Sequence, residues 1–357
     1  MAAIFISIVI FLLVLSILVL VHELGHFIAA RIFGVKVEEF GIGFPPRATS
    51  IKKGDTVYSI NWVPLGGFVK LKGEDSGAVG PDSFSAKPVW QRFVILGAGV
   101  AMNLALTISI FFIANMVGAP HIVGDYESLT TQAQDLHIRV TRVLEGFPAQ
   151  KAGIAAGDRI VSLDGTPVER VEDVQTYVRL REGANLVVTI ERGNETLSYP
   201  LTPVFIKESG YPGMGISLAR VATITYPPHV ALLNAVKTTW YMAGALLTML
   251  FSAVRSLAFD GFMGPVGIAS TTATVTKLGF SYLLNLIAQL SLSLAIFNFL
   301  PIPALDGGRA LFVMIEKLRG KSVRPEVEQM VHTIGFLILI GLLLLVTIQD
   351  IRRLLPA

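Results

Sequence analysis

The chain has 357 residues, of which 52% are hydrophobic and only 15% charged, with a mean hydropathy of +0.63. So little charge excludes an ordinary soluble protein, and a net charge of +3 offers no case for a nucleic-acid binder. The absence of cysteine excludes disulfides and thiolate metal sites.

From the N-terminus, residues 4 to 30 form an apolar run without a basic leader or a small-x-small cleavage site, so they read as a span rather than a removable signal. Further runs at 93 to 117, 280 to 300 and 334 to 348 approach or exceed the roughly 20 residues a helix needs to cross ~30 Å of hydrocarbon. Residues 238 to 254, between Lys237 and Arg255, are borderline.

The first run is interrupted by "VHELGH", in which His22 and His26 are four apart and share a helix face, with Glu23 beside them. Ionisable groups are costly at membrane depth and mark function. The H-E-x-x-H spacing is that of zinc hydrolases, two imidazoles holding Zn²⁺ and the Glu acting as general base. A transport site for protons or metal ions is the competing reading of such residues.

After this span, "FGIGFPPR" (40 to 47) and "TVYSINWVPLGGFVKL" (56 to 71) follow, the latter predicting two strands around Pro64-Leu65-Gly66-Gly67. Beyond the second span, a polar stretch at 121 to 220 alternates strands and turns. Strands are expected at Ile138, Val140 and Arg142 and again over 159 to 163, with turns at Gly157-Asp158 and Asp164-Gly165. A short helix is expected over 148 to 154, another on the spacing of Val171, Val174 and Val178, and a hairpin around Gly193-Asn194. Pro148-Ala149, Ala152-Gly153-Ile154, Gly157-Asp158-Arg159-Ile160 and Asp164-Gly165 resemble a bacterial protease-associated PDZ domain, a class that binds chain ends by strand addition.

A catalytic zinc takes three protein ligands and keeps one position open. The other histidines (121, 137, 229 and 332) are scattered, and Asp158 and Asp164 belong to turns. The best third ligand is Asp306 in "NFLPIPALDGGRALF". His26 lies five residues before Arg31, roughly 8 Å along a helix, and Asp306 three before Arg309, roughly 5 Å. They meet only if spans one and three run the same way, so 238 to 254 does not cross and four spans remain. Arg31, Lys36, Arg47, Lys52, Lys53, Lys70, Lys72, Lys87 and Arg92 in one loop, and Lys317, Arg319, Lys321 and Arg324 in another, put both on the cytoplasmic side, with Arg352 and Arg353 dissenting. Residues 121 to 220 and both termini are then extracytoplasmic.

His22-Glu23-Leu24-Gly25-His26, Asn298 through Leu305-Asp306-Gly307-Gly308, and one PDZ-like insert resemble bacterial site-2 proteases, above all those that cut anti-sigma factors. The resemblance implies an intramembrane zinc metalloprotease of the bacterial inner membrane. Its substrates would be single-pass transmembrane proteins of anti-sigma-factor or remnant signal-peptide type. It implies zinc on His22, His26 and Asp306, Glu23 as base, and Asn298 holding substrate or intermediate. Gly41 and Gly43 match a segment beside the substrate, and a hairpin including Gly66 and Gly67 would dip into the membrane. Some relatives carry two PDZ domains, and this chain has room for one.

The expected architecture is a polytopic α-helical membrane protein with four transmembrane helices, a membrane-associated β-hairpin and an inserted extracytoplasmic α+β PDZ-like domain. Residues 1-120 form the first half of the core, with the hairpin at about 40-72. Residues 121-220 form the PDZ-like domain, 221-278 an amphipathic surface helix and linker, and 279-357 the second half of the core.

Overall fold

The computed structural model describes residues 2–74, 80–118, 120–122, 134–193, 195–207, 209–256, 262–321 and 323–354. The contacts divide the chain into two units. One comprises Met1–Ile113, Leu232–Thr276 and Leu283–Ala357; the other comprises Ala114–Ala231 and Lys277–Tyr282.

The first unit opens with α1, Ala2–Ile32. It continues with β1, Val37–Lys53, β2, Thr56–Leu71, and α2, Val89–Val117. Among the described residues, four helices have the length and apolarity to cross a membrane: Ile8–Ile32, Val89–Val117, Phe280–Phe299 and Glu326–Arg353. Two small residues let α1 and α2 approach: a Cβ at Gly25 would lie 2.7 Å from the Ala98 carbonyl carbon, and Gly99 faces the two histidines of α1.

β1 and β2 form a sheet in which the stretch from Glu39 to Ile42 is paired twice, with Val57 to Ile60 and with Gly67 to Lys70. The reversal expected at Pro64 to Gly67 therefore brings the two halves of one long strand to the same partner. Gly66 takes a left-handed backbone at φ 71°, and a Cβ there would lie 3.0 Å from Val19 on α1. Ser16 of α1 donates to the Pro64 carbonyl at 3.1 Å. Ser16 is about 24 Å along the helix from its Ile32 end at 1.5 Å per residue, so the sheet runs beside most of the span.

The rest of this unit holds α5, Pro228–Ser256, and α6, Pro265–Leu278. After them come α7, Phe280–Phe299, α8, Asp306–Arg319, and α9, Pro325–Leu354. Ala235 and Ala243 of α5 are buried against Ile110, Phe111, Ala288, Leu292 and Ile296 of α2 and α7. α6 occupies part of what sequence reading treats as linker. Its Ser and Thr residues conceal the helical period; Thr272 and Thr276 bond back to the Ile268 and Thr272 carbonyls. The buried Asp350 carboxylate of α9 accepts the Gly267 N–H at 2.7 Å and caps its first turn. Two ion pairs pin α8. Arg92 of α2 holds Glu316 bidentately at 3.0 and 2.7 Å, and Arg309 pairs with Glu74.

The second unit contains a sheet of order β3-β11-β4-β5-β7-β8, with β6 paired to β5. Its strands are β3, Pro120–Ile122, β4, Gln134–Val143, β5, Arg159–Leu163, β6, Thr166–Pro167, β7, Leu186–Arg192, β8, Glu195–Leu201, and β11, Ile216–Thr223. The short pair β9, Val204–Ile206, and β10, Tyr211–Gly213, stands apart. Alternate residues of the strands point inward: Ile138, Val140, Ile160, Val188 and Ile190 are buried in one core. The helices are α3, Pro148–Ala152, and α4, Val171–Arg179, whose Val174 and Val178 face that core. Asn194 of the expected β7–β8 turn lies outside the described residues.

Candidate metal centre

His22 and His26 stand on successive turns of α1 and are 4% and 6% exposed. Asp306 comes from a different part of the chain and opens α8, directly after a loop that leaves α7. His22 Nε2 lies 2.7 Å from Asp306 Oδ2, His26 Nε2 lies 3.2 Å from the same oxygen, and the two imidazole nitrogens are 3.2 Å apart. Among the described residues these three form the group able to hold a metal ion, their ligand atoms all within 4.8 Å of one another.

The donor set fits zinc. Two neutral imidazoles and a carboxylate are a catalytic-type set, and ligands about 2.1 Å from a tetrahedral ion stand about 3.4 Å from one another. Gly99 leaves the room: a Cβ there would fall on His26 Nε2 and 2.7 Å from His22 Nε2.

The far nitrogens of the rings are also held. His26 Nδ1 donates to the Ile95 carbonyl at 2.8 Å, which leaves Nε2 as the free electron pair. The Asn103 amide lies 3.2 Å from His22 Nδ1, and its Oδ1 is buried without a partner among the described residues. A metal on His22 Nε2 requires Nδ1 to carry the proton. Turning the amide over places Oδ1 against that N–H and satisfies both groups. The Asn103 carbonyl accepts from Thr107 at 3.0 Å and Ser291 at 2.9 Å, tying this turn of α2 to α7.

Glu23 Oε2 accepts the Val69 N–H at 3.0 Å, so the second half of β2 ends beside the carboxylate next to His22. Asn298 is half-buried in the last turn of α7, ahead of the loop to Asp306. The four glycines of the sheet have packing reasons. A Cβ at Gly41 would meet the Phe68 ring, and one at Gly67 would lie 2.7 Å from the Gly41 carbonyl. Gly43 and Gly66 have positive φ of 76° and 71°.

Asn103, Gly99 and Val69 are absent from the sequence reading. An amide in mid-span is itself a costly polar group and could have flagged Asn103; Gly99 and Val69 carry no such signal. The rival carboxylates serve the second unit's own fold. Buried Asp158 accepts two bonds from Arg192 at 2.7 Å and one from the Ala155 N–H, and Asp164 Oδ1 accepts the Val187 N–H at 2.8 Å. That unit also holds a cavity of about 340 Å³ beside Val174, Val178, Tyr211, Met214, Ile216 and Leu218.

The sequence matches peptidase family M50 over residues 10–342. A Clostridium perfringens protein carried under a zinc metalloprotease name is 36% identical over 346 residues, 95% of this chain and 97% of that one. The regulator of sigma-W protease RasP of Bacillus subtilis is 30% identical over 434 residues, 98% of this chain and 99% of its own. Among solved structures, the PDZ domain of an SdrC-like protein from Listeria innocua is 28% identical over 23% of this chain and 92% of that one, with a TM-score of 0.21.

Proposed function

The chain belongs to peptidase family M50, and from that premise we propose that it is a zinc-dependent intramembrane endopeptidase in which His22, His26 and Asp306 hold the metal and Glu23 is the catalytic base. The observation that carries this reading is the meeting of three ligand atoms, 2.7 to 3.2 Å apart, from segments 284 residues apart in sequence. When bound, zinc supplies a Lewis acid that acidifies water and polarises a carbonyl.

The protein's own residues do the rest. His26 is oriented by the Ile95 carbonyl and His22 by Asn103, so both Nε2 electron pairs face inward. Glu23 takes a proton from the attacking water and later delivers it to the leaving amine. Asn298 contacts the substrate or the reacting carbonyl from the end of α7.

The substrate is a transmembrane helix of a membrane protein, of the anti-sigma-factor or remnant signal-peptide type. A helix hides its scissile carbonyl in an i to i−4 hydrogen bond and must unwind first. The β1–β2 sheet, with Gly41, Gly43, Gly66 and Gly67 at its close approaches, re-enters the membrane beside α1 and offers the unwound segment a strand to pair with. Ile42, Phe44, Ile60 and Trp62 are 42%, 46%, 53% and 71% exposed, an apolar face suited to lipid or to a hydrophobic substrate. The basic loops put the metal centre near the cytoplasmic side and leave residues 121 to 220 and both termini extracytoplasmic. The cavity between α4 and β11 receives an apolar peptide end in PDZ manner.

The test is cleavage of a reporter transmembrane protein by the purified chain in liposomes. Glu23→Gln keeps zinc and loses cleavage. Cleavage by that variant, or ion flux without cleavage by the wild type, overturns the reading.

A further inference from the structure

We propose that His332 is a positioning residue for the metal centre, acting on Asp306 through the backbone of Ala304; this rests on the ligand assignment above. Ala304 stands two residues before Asp306 with φ 76°, in the left-handed region that a non-glycine residue rarely adopts. Such a conformation persists only where the surroundings over-determine it. His332 supplies part of that determination. Its Nδ1, on α9, accepts the Ala304 N–H at 2.8 Å.

The ring is itself held. It lies 5.4 Å from the Phe312 ring of α8, centroid to centroid. Glu328, one turn earlier on α9, places Oε1 4.0 Å from His332 Nε2, the nitrogen that must carry the proton when Nδ1 accepts. Three residues on, Gly335 shares the helix face of His332. A Cβ at Gly335 would lie 2.8 Å from the Pro303 carbonyl oxygen, so the helix is flat where the loop crosses it. From the other side, a Cβ at Gly308 would lie 3.0 Å from Pro303 Cα. The segment Pro303-Ala304 is thus seated between α8 and α9, with one acceptor fixing its unusual turn. Remove that acceptor and the backbone relaxes toward negative φ, swinging the Asp306 carboxylate out of register with two imidazoles anchored independently on α1.

The experiment measures zinc affinity of the purified full chain by competition with a chelator, with reporter cleavage alongside. His332→Ala weakens zinc binding by about 10- to 100-fold, the usual cost of removing a group that orients a ligand. His332→Asn, which returns an acceptor near the place of Nδ1, recovers most of the loss. Adding Ala304→Gly to His332→Ala recovers part of it, because glycine holds positive φ without help. Wild-type affinity in His332→Ala overturns the proposal, as does a His332→Asn variant as impaired as His332→Ala. Asp306→Ala separates the two readings. If it keeps zinc, the ligand assignment fails; if it loses zinc while His332→Ala does not, only the role of His332 fails.

Discussion

Asn103 lies 3.2 Å from Nδ1 of His22, while Nε2 of the same ring lies 2.7 Å from Asp306. The imidazole is thus held at both nitrogens, by α2 on one side and the start of α8 on the other. A ligand restrained this way has its ring orientation fixed before the metal arrives. Asn103→Leu is expected to weaken zinc binding about 10- to 100-fold, with Asn103→Asp keeping most of it because a carboxylate still accepts the Nδ1 proton. Chelator competition measures this. Equal affinity in Asn103→Leu and wild type would show that the amide does not orient the ring.

Space beside the two imidazoles is as specific as the rings themselves. Gly99→Ala puts a methyl group on the His22 and His26 nitrogens, whereas Gly97 has nothing within 4 Å of its would-be Cβ. The first substitution is expected to abolish zinc retention and cleavage, and the second to leave both intact. The pair controls for a general effect of changing a glycine in α2. A Gly99→Ala protein that still copurifies with stoichiometric zinc refutes the close approach.

If the substrate must unwind to pair with the sheet, its helical stability enters the barrier. Replacing two helix-weakening residues near the cut by alanine or leucine adds about 1–2 kcal/mol of helix preference where glycine is replaced. The single-turnover rate is then expected to fall by about 5- to 30-fold. An unchanged rate sinks the unwinding step.

In the second unit, Arg192 reaches Asp158 with two nitrogens and the Gly153 carbonyl with one. The Asp158 carboxylate beside it raises the guanidinium's pKa further above its ordinary value. Arg192→Ala strands a buried carboxylate, which costs about 2 kcal/mol. Hydrogen exchange at the β5 and β7 amides should accelerate by about 30-fold while zinc binding is unchanged. Unaltered exchange there would mean that Asp158 is satisfied by its backbone donor alone.

The meeting of His22, His26 and Asp306 was partly legible because some of its signals are local. His22 and His26 declare themselves by a four-residue spacing on one helix, and Asp306 by its place after an apolar run and three residues before Arg309. The contacts of Asn103 and His332 were not. Nothing in the spacing of Asn103 or His332 points to a ring nitrogen or a loop N–H contributed by another helix. The double pairing of Glu39 to Ile42 was hidden for a similar reason. Strand alternation tells which residues share a face and does not tell how many partners a strand has. α6 was missed because its runs of Thr and Ser carry no apolar period.

The amino-acid order alone determined that long stretches seek lipid, that two imidazoles share a turn-to-turn face, and that a polar α+β insert follows the second span. These are consequences of hydropathy and of helical or strand period, which act between near neighbours. Tertiary packing decided which carboxylate meets the imidazoles, which glycine lies against them, and that Asn103 touches the His22 ring and His332 the Ala304 N–H. Those contacts join residues tens to hundreds of positions apart, where close packing between elements sets the geometry and sequence spacing no longer constrains it.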